Sequence, residues 1–152
     1  MKKVFVFLLA AFTLFFSGCS GSNPKAKITS VEYVDSIQAS GVSYQYEGKE
    51  IIQIKLDFTF DENIVSGLDQ TSEDYRKNLY SILVKGAHLY VDGQEVDFTF
   101  GYWPDKAGSN YAKEMSLFYV VPGNPSPQIL RFVYSGDVLG EGASGIDKTI
   151  KP

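Results

Sequence analysis

One cysteine and one histidine are all that the sequence offers of the side chains that most often ligate metals or act as nucleophile and base. A lone cysteine, Cys19, has no partner for a disulfide within the chain, so burial of apolar surface must stabilise whatever folds. The usual zinc sites need three or four Cys, His or carboxylate ligands led by the first two, and this composition excludes them. A Ser-His-Asp arrangement would have to use His88, the sole histidine. Basic residues are outnumbered, 14 Lys and Arg against 18 Asp and Glu, for a net charge of −4. An acidic chain gains nothing from counterion release on nucleic acid, so no nucleic-acid partner is expected. Internal repeats and low-complexity runs are absent, and the only long apolar run, Val4 to Phe16, is too short for a membrane-spanning helix of about 20 residues.

What is present begins at the N-terminus. Met1-Lys2-Lys3, the apolar run broken only by Thr13, and then Ser17-Gly18-Cys19 form a positive region, an apolar region and a small-residue cleavage site, the pattern of a secretory signal. Phe16-Ser17-Gly18-Cys19 resembles the lipobox of bacterial lipoproteins, with Phe16 where that family usually has Leu. The resemblance covers the first nineteen residues. It implies cleavage between Gly18 and Cys19, acyl chains on Cys19 (a diacylglycerol thioether, with palmitate as the expected kind of chain), and a cell-membrane location on the extracytoplasmic face. The alternative for Cys19 is a free thiol or a bond to another molecule. Two chains matter physically, since one alone anchors only marginally at ~0.8 kcal/mol per buried methylene. Without residues 1–18, 12 Lys and Arg face 18 Asp and Glu, and anionic headgroups repel such a domain. The chain then divides into a signal peptide (1–18), a lipidated cysteine with its tether (19–26) and a domain (27–152). Ser20 to Lys25 spans at most ~20 Å, so the domain is expected close to the headgroups.

From Lys27 onward the pattern has period two. Ile52, Ile54, Leu56, Phe58 and Phe60 share one face, with Gln53, Lys55, Asp57 and Thr59 on the other, which predicts a strand with one buried and one wet face. Val42, Tyr44 and Tyr46 alternate just upstream. Pairing Tyr46 with Ile52, Tyr44 with Ile54 and Val42 with Leu56 predicts a hairpin with residues 47–51 as its connection and Ile51 in the turn or a bulge. A second hairpin runs from Ala87 to Phe100 through Asp92-Gly93, a pair suited to a type I′ turn. It sets Leu89 opposite Val96 and Ala87 opposite Phe98, and on the wet face Tyr90 opposite Glu95 and His88 opposite Asp97. Further strands are predicted at Ile28–Val34, Leu117–Val121 and Ile129–Tyr134, a capped short helix over Thr71 to Leu83, and a long loop over Gly101 to Met115. About seven strands argue an all-β sandwich or barrel. The stretch 85–135, with Val91-Asp92-Gly93, Phe118-Tyr119-Val120-Val121-Pro122 and Leu130-Arg131-Phe132-Val133-Tyr134, resembles the closing half of Ig-like domains of uncharacterised Gram-positive lipoproteins. That resemblance implies an antiparallel Ig-like sandwich and brings no catalytic residues with it.

The remaining constellations are weak carriers of chemistry. Gly140-Glu141-Gly142-Ala143-Ser144-Gly145 has the spacing G-x-G-x-x-G, but only seven residues follow, too few for the helix and ribose-binding acid of a dinucleotide site, so a flexible C-terminal tail is expected. His88 on a wet face reads as a cross-strand pair rather than a catalytic base. Asp61, Glu62, Asp69, Glu73 and Asp74 cluster after the long strand; calcium takes such oxygens, but the EF-hand spacing is missing and a solvated acidic loop is the plainer reading. Paired carboxylates suit glycosidases, and no pair stands out here. Tyr102, Trp103 and Tyr111 form the candidate binding loop, since such aromatics anchor interfaces; in the competing reading Trp103 folds back over an open end of the sandwich. The expectation is therefore a non-enzymatic binding or interaction module without cofactor or metal, partnered by the membrane through its lipid and by an envelope or extracellular protein or glycan. The alternatives are a protective or inhibitory lipoprotein acting against an incoming hydrolase, toxin or phage and, last, a carboxylate-dependent hydrolase.

Overall fold

The computed structural model describes residues 23–152. In chain order the strands are β1 (Lys25–Val34), β2 (Ile37–Ala39), β3 (Val42–Tyr44), β4 (Lys49–Thr59), β5 (Ala87–Val91), β6 (Gln94–Val96), β7 (Phe100–Tyr102), β8 (Lys106–Ala107), β9 (Tyr111–Pro122), β10 (Leu130–Tyr134) and β11 (Ile146–Ile150). Among the described residues one α-helix, α1 (Tyr75–Leu83), follows β4. One sheet has the order β1-β4-β9-β7, with β8 also paired to β9; the other runs β11-β10-β5-β6; β2 and β3 form a separate ribbon. Among the described residues these strands all pair antiparallel, and an isolated parallel bridge joins Lys25 to Ser144. The fold is an all-β sandwich with one short helix, and its eleven described strands exceed the seven or so expected.

Strand β4 builds the centre of the core. Ile52, Ile54, Leu56, Phe58 and Phe60 are all buried, as the alternation predicts. They meet Leu117, Tyr119 and Val121 of β9 beside them, and Leu89, Phe132 and Tyr134 of the facing sheet across the sandwich. Phe58 and Tyr134 pack with ring centroids 5.2 Å apart. Helix α1 contributes Tyr75, Leu79 and Leu83, spaced four apart and so on one stripe. Its end is tied to the core by the Tyr134 hydroxyl, which donates to the Leu83 carbonyl at 2.7 Å and satisfies an acceptor that the helix leaves free. The expected side-chain cap is absent: Thr71 donates its amide and hydroxyl to Asp69, and the N-cap is Asp74, whose side chain makes no capping bond.

The hairpin at Asp92-Gly93 forms as predicted, both residues having positive φ (48° and 86°) and Leu89 and Tyr90 facing Val96 and Glu95. It ends sooner than expected. Pairing stops at Val96, Asp97 and Phe98 are exposed, and His88 binds Glu95 rather than Asp97. The cause is a change of sheet: the Thr99 amide already donates to Phe118 of β9, and Phe100 begins β7 there.

Three other expectations are corrected. Strand β3 does not pair with β4; it turns back on β2 through Ser40-Gly41, both at positive φ, with Ile37 opposite Tyr44. The neighbours of Ile52 and Ile54 are Tyr33 and Val31 on one side and Tyr119 and Leu117 on the other. Ile51 lies inside β4 and is buried on the outer face, in a second cluster with Ile37 and Phe118. The supposed loop 101–115 contains β8 and the first half of β9, and the supposed tail supplies β11, which pairs residue for residue with β10. An Arg131–Asp147 ion pair, with two hydrogen bonds of 2.7 and 2.6 Å, links those strands; it holds the Asp147 carboxyl below and the Arg131 guanidinium above their ordinary ranges.

Candidate functional site

Gly18 and Cys19, the expected cleavage and lipidation positions, lie outside the described residues. The chain comes into the sandwich where Lys25 pairs with Thr59, at the end of the sheet that also holds Tyr111.

The three aromatics of the candidate loop are not brought together. Tyr102 packs edge-on against Phe118 and Phe100 on the outer face, and its hydroxyl donates to the Gln38 carbonyl, pinning the β2–β3 ribbon. Trp103 and Tyr111 remain 43% and 40% exposed, and neither is in a ring–ring contact among the described residues. Trp103 therefore does not close the sandwich, and it packs against neither apolar cluster. The loop beyond Trp103 is nevertheless held, because Arg76 of α1 donates to the Pro104 and Asp105 carbonyls (3.2 and 3.1 Å) and the Tyr75 hydroxyl to that of Gly108 (2.7 Å). Trp103→Ala is expected to change stability by no more than about 0.5 kcal/mol, the usual range for a surface substitution. Thermal melting checks this; a loss of several degrees would return Trp103 to the core.

The acidic segment is occupied locally. The Asp61 carboxylate accepts from the Asn63 amide (2.9 Å), Glu62 accepts from the Ser109 hydroxyl (2.7 Å), and the Thr71 bonds hold the Asp69 carboxyl below its ordinary range. Among the described residues no three metal-ligating side chains converge.

A groove of about 800 Å³ is the concave feature that the sequence did not reveal. It opens between the last residues of β1 and the segment leading into β4, with Tyr33, Val34, Tyr46, Glu47, Glu50 and Ile51 on its walls. The volume is that of a small-ligand or side-chain site. Val34, Tyr46 and Ile51 belong to the outer apolar cluster and give the groove an apolar floor. Three carboxylates, Asp35, Glu47 and Glu50, line it against one lysine, Lys49. Glu50 is the unusual member. Its Oε1 accepts from the Ser126 hydroxyl at 3.1 Å, while Oε2 is buried without a hydrogen-bond partner. Such an oxygen carries a desolvation penalty of about 1–3 kcal/mol or more until a donor reaches it. Tyr33 stands beside it, and its hydroxyl is pushed up first by burial, then by the Glu50 charge and by a loose hydrogen bond to the Glu50 carboxylate.

Nothing local in the sequence marks this site. Tyr33 comes from one segment and Tyr46 and Glu50 from another, and they meet only because β1 and β4 are neighbours with Val34 opposite Ile51. Comparison with protein-family models, with curated proteins and with solved structures finds no match for the chain.

Proposed function

We propose that the chain is a lipoprotein held at the extracytoplasmic face of the cell membrane by acyl chains on Cys19, and that its sandwich is a non-enzymatic binding module whose ligand site is the groove of Tyr33, Tyr46 and Glu50. On the same reading the sandwich is Ig-like, a likeness resting on the strand pattern of residues 85–135. The observation that carries the proposal is the position of the groove relative to the start of the domain. Strand β1 begins at Lys25, next to the tether, and ends at Val34 on the groove wall. Ten extended residues cover about 30 Å. An anchor at Cys19 thus sets one end of the sandwich near the headgroups and holds the groove at the other, facing partners from outside. The buried Glu50 oxygen suits binding, since a well-aligned donor supplied by a ligand improves on the loose contact that Tyr33 makes in the free protein.

The test is retention of envelope components by the immobilised chain and by its Glu47→Lys variant. Glu47 is exposed on the rim, so reversing its charge leaves the core alone. A component retained by the wild type and lost from the variant is the expected result. Equal retention by both, or none by either, overturns the groove as the binding site. The anchor is checked separately by the mass of the membrane-extracted protein, which should carry the acyl chains on a Cys19→Ala-sensitive terminus.

A further inference from the structure

We infer that the groove receives a lysine or arginine side chain from an extended peptide segment of another protein, laid along the free edge of β1. The inference rests on the binding role proposed for this groove and names its ligand class.

Four features of the groove agree. Its lining is acidic, with Asp35, Glu47 and Glu50 against Lys49, so a neutral occupant would desolvate charge without compensating it. Tyr33 and Tyr46 offer aromatic surface, which attracts ammonium and guanidinium groups. Val34 and Tyr46, half-buried against the outer cluster, supply apolar surface for the methylene stem that such side chains bury while the charged head finds its partner. The Glu50 Oε2 atom has no hydrogen bond of good geometry, and the donor beside it is the hydroxyl of Tyr33, a side chain 48% exposed.

The peptide form of the ligand comes from the sheet. Among the described residues strand β1 is an edge strand paired in its sheet with β4, and its outer edge is bridged at Lys25 to Ser144 but not between Ser30 and Val34. Its irregularity falls between Ile28 and Ser30, and the pairing is regular from Ser30 to Val34, the stretch that reaches the groove. A bulge protects an edge locally, whereas a regular stretch leaves alternate backbone groups available to an incoming strand. Strand addition to such an edge draws affinity from main-chain hydrogen bonds and specificity from one or two side-chain pockets. Here the pocket selects a cation.

The experiment is fluorescence anisotropy with the full-length chain in detergent and a labelled, end-capped pentapeptide of valine and threonine with a central lysine. A second peptide carries acetyl-lysine there, which removes the charge and keeps the length. The lysine peptide should bind about tenfold more tightly than its acetylated counterpart, the size expected of a partly desolvated cation between carboxylate and aromatic partners. Glu50→Gln should remove most of that difference. Asp35→Asn and Glu47→Gln, at exposed rim positions, should each weaken lysine-peptide binding about two- to threefold, with steeper losses at low salt. Should Glu50→Gln fail to fold by circular dichroism, the two rim variants decide. Equal affinities for the two peptides, unchanged affinity in the variants, or no binding of either peptide overturns the inference. If an envelope component is still retained by the wild type and lost from Glu47→Lys, the binding role of the groove stands and only the ligand class falls. If retention ignores Glu47→Lys, both fall together.

Discussion

Replacing Phe58 by alanine is expected to cost about 3–5 kcal/mol of folding stability, the range for truncating a buried aromatic. Phe58 is 1% exposed in the central strand of one sheet, and its ring packs on Tyr134 of the other. Two effects add. The side chain loses its transfer free energy, and the neighbours cannot close the gap because β4 is hydrogen-bonded on both sides, to β1 and β9. With no disulfide available to a chain that has a single cysteine, such a loss is a large share of the 5–15 kcal/mol that a domain of this size holds. Urea denaturation followed by far-UV circular dichroism measures it. A shift worth less than ~1 kcal/mol would mean that the sheets are not joined through this ring, since that is the size of an ordinary surface effect.

The second large effect is an alkaline one. Burial pushes the hydroxyls of Tyr119 and Tyr134 far above the ordinary tyrosine range, with the Tyr80 and Glu95 charges adding to the effect at Tyr119. A raised folded-state value means that the folded protein resists deprotonation. Stability is therefore fully present below about pH 10, where both states keep their protons. It falls as pH rises further, because the unfolded chain deprotonates first. Each such group contributes a slope of about 1.4 kcal/mol per pH unit over that window, so the pair gives about 2.7. Cooperative unfolding well above pH 10 is expected, with Tyr119→Phe and Tyr134→Phe each lowering the slope by about 1.4 kcal/mol per pH unit.

The two variants should differ at neutral pH. The Tyr134 hydroxyl donates to the Leu83 carbonyl, so Tyr134→Phe leaves a buried acceptor without its donor and costs about 1–3 kcal/mol. The Tyr119 hydroxyl is buried without a partner, so Tyr119→Phe should be neutral or stabilising. Equal destabilisation by both would contradict the hydrogen-bond assignment. A slope unchanged in both variants would place the alkaline transition on other groups.

Some of this architecture was legible without coordinates because it depends on neighbours in the chain. The buried face of β4 follows from strict alternation over Ile52 to Phe60, and the β5–β6 turn from Asp92-Gly93, where both residues must take positive φ. The place of α1 follows likewise from the polar run Thr71 to Asp74 ahead of Tyr75 to Leu83. Strand partners were not legible in this way. Tyr44 and Tyr46 match the alternation of β4, but a register satisfied on paper competes with every other strand, and β1 and β9 take both edges of β4. The first half of β9 was hidden for a different reason. Its alternation breaks at Lys113 and Glu114, where Asp57 of β4 holds a bulge by accepting from the Glu114 amide (2.9 Å) and pairing with Lys113 (3.3 Å). A bulge stabilised from another strand leaves no periodic signal in its own.

The sequence by itself determined the period-two class, the faces of the strongest strands and an acidic charge balance, because each is a property of adjacent residues or of simple sums over them. Only the tertiary structure decided that Ile51 is buried on the outer face, that Gly140 to Gly145 leads into a strand, that Trp103 stays exposed, and that Tyr33, Tyr46 and Glu50 share a groove. Those outcomes depend on which strands pair across long stretches of chain. That choice is made by the summed burial of two sheets against each other, a quantity that no short window of sequence contains.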